Sequence, residues 1–332
     1  MTVLITGAGL IGRLTAAALR EHGDAVVLAD VREPARDFTG EVGDVAAVQC
    51  DVTDFARLEA IVEAHRVSTI VHTAALLSSA IRRDPLAGVR VNTLGTANVL
   101  EVARRHGLAR VVIASSTTVA YSAFGSLPPD AIPEDFASHA VSEAPASIYA
   151  ATKVAGEHLA LAYASLYDMS VVVLRYGAVL GAGREAATSV PGRLLASLLD
   201  AGQHKTPAQL DDPVLLWNGR EEFVDARDCA RANVAAVHAA SPTQRVYNIA
   251  TGEWFTVEEF VGVARSHFPS LEVASMRLPT GGFAAFPHRR PAPSDVGAAQ
   301  RELGFRTTYS LDQTVAHFAS TYFDGANVAA ME

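Results

Sequence analysis

Apolar residues in the first half of the chain fall in short continuous runs, at 3–6, 25–29, 47–50, 69–72, 110–114 and 170–175. A strand covered on both faces carries apolar side chains at successive positions, so these runs predict a parallel sheet buried on both sides. Between them, 13–21, 55–65, 95–105 and 149–167 are amphipathic stretches with the helical period. Strands alternating with helices in this way predict an α/β fold, a doubly wound and mostly parallel sheet. After about Tyr176 the rhythm changes. There 190–201 and 257–266 predict helices, and 222–224 and 245–249 predict short strands. Two stretches rich in proline and glycine, 122–147 and 278–294, are long enough to serve as lids or binding loops. The pattern therefore predicts a smaller capping region interleaved with the last strands of the sheet.

Composition narrows the class of protein. A chain of 332 residues with 49% hydrophobic and 19% charged residues has the make-up of an ordinary globular protein with a large core. A net charge of -9 argues against nonspecific nucleic-acid binding and against attraction to an anionic membrane. The N-terminal MTVLITG has no basic stretch followed by an apolar segment, and no apolar run approaches membrane-spanning length. Cys50 and Cys229 are too few for a disulfide framework and fit a reducing, cytoplasmic setting. Histidines such as His72 and His158 show no ligand spacing, so no metal site is expected.

Chemistry enters at the edge of the first strand. Gly7-Ala8-Gly9-Leu10-Ile11-Gly12 follows that strand and opens the first helix, the setting in which a G-x-G-x-x-G loop brings backbone against a pyrophosphate. The diphosphate would lie on the N–H groups of the helix N-terminus. Asp30 closes the second strand, where a carboxylate accepts from the adenosine ribose hydroxyls and repels a 2′-phosphate; this favours NAD, with Arg32 close by. Asp51, after the third strand, is placed either at the adenine edge or as a helix cap with Thr53 and Asp54. Tyr149 and Lys153 are four residues apart and share one helical face. An ammonium ion beside a phenol lowers its pKa from about 10, which suits proton removal from an alcohol during hydride transfer. Ser116 and Thr117, at the end of the fifth strand, offer hydroxyls in the crevice where such sheets bind ligands.

TGAGLIG, DV at 30–31, CDVTD, VHTAA, VNTLGTANVLE, ASSTTVAY, YAATK, LRYGAVLG, FVDARDCA and YNIATGE occur in this order. Together they resemble the extended short-chain dehydrogenases/reductases of the NAD-dependent epimerase/dehydratase family, over residues 1 to about 255. The resemblance implies a Rossmann domain over 1–177, with 222–250 adding to its sheet, and a substrate-binding cap over 178–221 and 251–332. It implies NAD as cofactor, Tyr149 as general base or acid, Lys153 on the nicotinamide ribose, and Thr117 with Ser116 aligning the substrate. Val52, Ala74, Ala75 and Asn92 would line the cofactor, and the stretch Arg175, Tyr176, Gly177 would pass the nicotinamide. It also implies a homodimer through the helices 95–105 and 149–167, with Ala150, Ala151, Ala155 and Ala160 permitting close approach.

Departures from the family pattern bear on the substrate. The glycine loop is one residue shorter than the usual G-x-x-G-x-x-G. Nucleotide-sugar members usually carry an asparagine where this chain has Ala178, and a diphosphate-clamping arginine where it has Glu221. A carboxylate facing a diphosphate repels it. HTAALLSSAIRRDP resembles the family's amino-acid and sugar-acid dehydrogenases. The expected activity is therefore NAD-dependent oxidation of a secondary alcohol on a small sugar, sugar acid or hydroxy acid. Leu77, Ser116, Arg184, Arg220, Arg289 and Arg290 are candidate substrate contacts. A nucleotide-sugar 4-epimerase or dehydratase with tightly bound NAD is the alternative. A non-catalytic dinucleotide sensor is a third reading, although such a protein has no use for the hydroxyl–Tyr–Lys set.

Overall fold

A computed structural model describes residues 1–32, 45–139, 147–181 and 188–329, the last seven of them as backbone only. Seven parallel strands form the central sheet: β1 (Thr2–Thr6), β2 (Ala25–Asp30), β3 (Ala46–Gln49), β4 (Thr69–His72), β5 (Arg110–Ser116), β6 (Val171–Tyr176) and, much later in the chain, β10 (Val246–Ile249). Their order is β10-β6-β5-β4-β1-β2-β3. The order reverses beside β1, which pairs with β2 on one side and β4 on the other, and that opens a crevice at the carboxyl ends of β1 and β4. Side chains alternate between the two faces. Val3 and Ile5 enter a core under the helices Leu10–Glu21 and Ala226–His238, whereas Leu4 enters one under Phe55–Ala64, Gly95–Arg105 and Ile148–Tyr167.

The remaining strands among the described residues are β7 (Ala178–Leu180), β8 (Ala208–Leu210), β9 (Glu221–Asp225), β11 (Trp254–Phe255) and β12 (Val273–Met276). They form two small sheets, β11-β9-β7 and β12-β8. Of the segment 222–250, β10 alone joins the central sheet. β9 pairs with β7 because the chain crosses from one region to the other after Tyr176. A separate aromatic core, with Trp217, Phe223, Phe260, Phe283 and Phe318, binds the cap together. Part of the 278–294 stretch folds back on the first region, where Phe286 and Ala292 pack with Tyr121, Phe124 and Ile132. Among the described residues no helix is long and apolar enough to cross a membrane.

Candidate active site

The glycine loop is shaped by contacts that leave no room for side chains. Gly7 has φ +97°, and a Cβ there would lie 2.6 Å from the Ala74 amide nitrogen; a Cβ on Gly12 would lie 1.8 Å from the Gly7 carbonyl oxygen. Gly9 is the N-cap of the helix Leu10–Glu21, and among the described residues no side chain caps that end. An uncapped helix N-terminus behind a glycine loop is a cradle for a phosphate, so the residues present fit a dinucleotide. Leu10, Ile11 and Gly12 supply its first turn. Asp30 leans across the loop: its Oδ2 accepts from the Ala8 amide at 2.7 Å and its Oδ1 from the Arg32 amide at 3.3 Å. Asp51 folds back on Thr53, accepting from its amide and hydroxyl, and Asp54 caps the next helix instead. Val52 is buried, and its carbonyl receives the Asn98 side chain.

The far wall of the crevice follows β4. Asn92 lies buried in a π-helical turn, Val89–Leu94, within a helical run from Pro85 to Arg105, preceded across Asp84 by the short helix Ser78–Arg83; the hydrophobic pattern shows the run only from Gly95 onward. Its Oδ1 accepts from the Leu76 amide, and its Nδ2 donates to the Leu76 carbonyl and to Thr152. Asn92 thus pins the wall carrying Ala74 and Ala75 to the Tyr149 helix. Leu77 is exposed at the start of the helix Ser78–Arg83. His72 lies between hydroxyls. Thr96 donates to the Asn92 carbonyl and therefore accepts from His72 Nε2, so Nδ1 accepts from Thr6. Burial lowers its pKa to about 3, which keeps it neutral and structural.

Tyr149 sits in the first turn of the helix Ile148–Tyr167, capped by Ser147. Burial pushes its phenol up to about 12, opposed by hydrogen bonding with the Ser116 hydroxyl. The lowering expected from Lys153 is not what dominates: Nζ lies 5.8 Å from the ring centre and donates to the Ala114 carbonyl at 2.8 Å. Burial draws the Lys153 ammonium down to about 8, against the nearby carboxylate of Glu157. Ser116 is the hydroxyl that meets Tyr149, while Thr117 lies buried at the start of the next turn. On the same turn the buried Thr118 hydroxyl has no hydrogen-bond partner among the described residues.

One turn beyond Lys153, Glu157 extends the ladder on the same face, and sequence reasoning missed it. It accepts from the Ser115 hydroxyl at 2.5 Å and is held bidentately by Arg175, at 2.7 to 3.2 Å. Arg175 also donates to the Glu134 carbonyl and lies over the Phe136 ring. The i, i+4, i+8 spacing of Tyr149, Lys153 and Glu157 was the available signal. Tyr176 turns away from the crevice; its hydroxyl donates to Asn233 in the core below the sheet.

The arginines expected to meet substrate are engaged elsewhere. Arg220 forms an exposed pair with Glu259, because the two converge where β9 meets the helix Val257–His267. Arg290 is buried between Glu221, at 2.9 Å, and Glu222, at 2.7 Å. Tyr121 donates to the other oxygen of Glu221. Arg289 is exposed, and Arg184 lies outside the described residues. The expected absence of a metal-ligand cluster rested on spacing along the chain. Folding brings His22, Asp24 and His238 together at the opposite edge of the sheet.

Comparison with known proteins agrees with this geometry. UDP-glucuronate 4-epimerase 3 of Arabidopsis thaliana is 28% identical over 99% of this chain and 79% of its own length. Mitochondrial L-threonine 3-dehydrogenase of Bos taurus is 27% identical over 98% of this chain and 84% of its own. Among solved structures, MoeE5 in complex with UDP-glucuronic acid and NAD superposes with a TM-score of 0.78 at 27% identity, covering 98% of this chain and all of that one. L-threonine dehydrogenase of Phytophthora infestans gives 0.79 at 25% identity, covering both chains fully. The NAD dependent epimerase/dehydratase family matches residues 3–250, and the chain belongs to that family of NAD-dependent enzymes.

Proposed function

We propose that this enzyme oxidises a secondary alcohol on a small polar substrate, a sugar, sugar acid or hydroxy acid, that carries no nucleotide. The observation behind this reading is the environment of Glu221. Where nucleotide-sugar members usually place a diphosphate-clamping arginine, this chain has a carboxylate sealed against Arg290 and Tyr121. Arg220, next to it, is paired with Glu259. Neither guanidinium is disposed to take a diphosphate bidentately.

The glycine loop, Asp30 and the wall at Ala74 and Ala75 would hold NAD, which would supply the hydride acceptor. The Ser116 hydroxyl orients the substrate oxygen and Tyr149 removes its proton, with Thr117 supporting the turn. Because the phenol rests protonated, the site must stabilise the phenolate as it forms, and Lys153 is the cation nearby. Replacement of Tyr149 by Phe is expected to abolish turnover and leave NAD affinity nearly intact, measured by NADH absorbance and by titration calorimetry. Unchanged turnover would overturn the assignment.

The epimerase relatives favour a second reading, 4-epimerisation of a nucleotide sugar. Stoichiometric NADH release from L-threonine or another free hydroxy acid or sugar acid supports the first reading. Interconversion of UDP-sugars without net NADH supports the second.

The same reading includes a homodimer. The helical run 85–105 exposes Leu86, Val89 and Leu94, and the Tyr149 helix exposes Leu161 and Leu166. Of the alanines expected on this face, Ala150 and Ala160 are buried within the chain. Leu94→Lys is expected to shift light-scattering mass from dimer to monomer. A monomeric wild type would refute the pairing.

A further inference from the structure

A cluster of nitrogen and oxygen donors stands apart from the crevice, at the amino-terminal edge of the central sheet. His22 is the C-cap of the helix Leu10–Glu21, Asp24 precedes β2, and His238 ends the helix Ala226–His238. His238 Nε2 lies 2.8 Å from Asp24 Oδ2, and His22 Nδ1 lies 3.7 Å from the same oxygen. One donor atom from each residue can be chosen so that all lie within 4.8 Å of one another. The Asp24 side chain is 5% exposed and the His22 side chain 52% exposed, so the carboxylate is held in place while one side stays open.

We propose that His22, Asp24 and His238 form a binding site for a divalent ion of the zinc class, with the remaining position open to water. Two imidazoles and a carboxylate are a donor set suited to zinc, cobalt or nickel and poorly suited to magnesium or calcium, which take oxygen ligands. Zinc–nitrogen and zinc–oxygen distances of about 2.0–2.2 Å in tetrahedral geometry separate donors by about 3.3 Å. The observed 2.8 and 3.7 Å straddle that value; turning the half-exposed His22 ring off its stack with His238 would shorten the longer one, and a small shift of the His238 ring would lengthen the shorter. Two helices also end here, and the partial negative charge of each carboxyl end favours a cation.

Cations of the protein are already nearby, and their positions matter. The Met1 amine is 3.3 Å from Asp24 Oδ1, Arg20 reaches the Asp24 carbonyl, and Arg110 donates to the carbonyls of Ala236, Val237 and Ala239. All of them engage the other carboxylate oxygen or backbone oxygens, so Oδ2 is the oxygen facing the rings. A bound ion would tie the carboxyl end of the first helix to that of Ala226–His238. Its effect would be on stability and not on the chemistry at Tyr149.

The test uses tag-free protein, stripped with chelator and dialysed, titrated with zinc chloride by calorimetry and melted with and without the ion. One equivalent of zinc is expected to bind and to raise the unfolding midpoint, while magnesium does neither. Loss of a ligand should weaken affinity at least as much as the roughly 10- to 100-fold that follows loss of an outer-shell partner. That weakening is expected in both His22→Gln and His238→Gln; the first alters a half-exposed side chain and keeps the test valid if the second folds poorly. Equal zinc affinity in wild type and both variants, no binding at millimolar zinc, or an equal response to magnesium would overturn the site.

Discussion

Glu157 sets the surroundings of the residues proposed to carry the chemistry. Its carboxylate lies between the Arg175 guanidinium and the Ser115 hydroxyl, and it is the anion that favours the charged form of Lys153. Ser115 adjoins Ser116, so the same carboxylate ties the end of β5 to the helix bearing Tyr149 and Lys153. Glu157→Gln keeps the shape and removes the charge, leaving the Arg175 and Lys153 cations with less compensation. Loss of one partner of a buried pair costs about 3–5 kcal/mol, to be read from urea unfolding. The catalytic consequence has a definite sign. Lys153 titrates at about 8 and is charged below it; without the anion it titrates lower. The alkaline limb of kcat/KM is therefore expected to move to lower pH in Glu157→Gln. A limb that stays in place would assign Glu157 to folding alone. At position 157 the sequence shows only the helical spacing from Tyr149 and Lys153; the partners that give the carboxylate its effect are not legible there. Its burial depends on Arg175 and Ser115, which reach it from neighbouring strands.

Among the elements, those whose evidence is local were the legible ones. The apolar runs of the sheet are continuous because both faces are covered, and their boundaries in the structure fall within a residue or two of the pattern. The helix Ala226–His238 left little trace because its buried side is built from small or polar residues, such as Cys229, Ala230, Ala232, Asn233 and Ala236. The π-helical turn around Asn92 follows from packing against the Tyr149 helix, and no spacing announces it. The glycine loop was readable because its constraint is steric and fixed to particular positions. A methyl on Gly12 collides with the Gly7 carbonyl, a backbone atom that can yield only by moving the loop. Gly12→Ala is therefore expected to weaken NAD binding at least about tenfold, or about 1.4 kcal/mol. Calorimetric titration with NAD checks this, and wild-type affinity in the variant would mean that the loop does not hold the diphosphate.

At the scale of the whole molecule, the two regions are joined through charge as well as through apolar packing. Arg290, from the loop that folds back over the first region, lies between Glu221 and Glu222 of β9, and Glu221 receives the Tyr121 hydroxyl from the turn that follows Thr117. The sequence marks Glu221 as one of the residues that depart from the family pattern. It does not reveal that a partner 69 positions later makes the departure tolerable. Burial raises the Glu221 pKa and Arg290 opposes that rise, so the carboxylate depends on its partner to remain charged. If this network links the cap to the catalytic turn, removing the guanidinium alone should leave two carboxylates buried together. Arg290→Met is then expected to destabilise the protein by about 3–5 kcal/mol. Adding Glu221→Gln and Glu222→Gln to that variant removes the stranded charge and should restore much of the loss, since a neutral replacement of a buried ionic group is often nearly neutral for stability. Urea unfolding of the single and triple variants decides the matter. A triple variant no more stable than Arg290→Met would show that packing of the Arg290 side chain, and not charge balance, holds the cap in place.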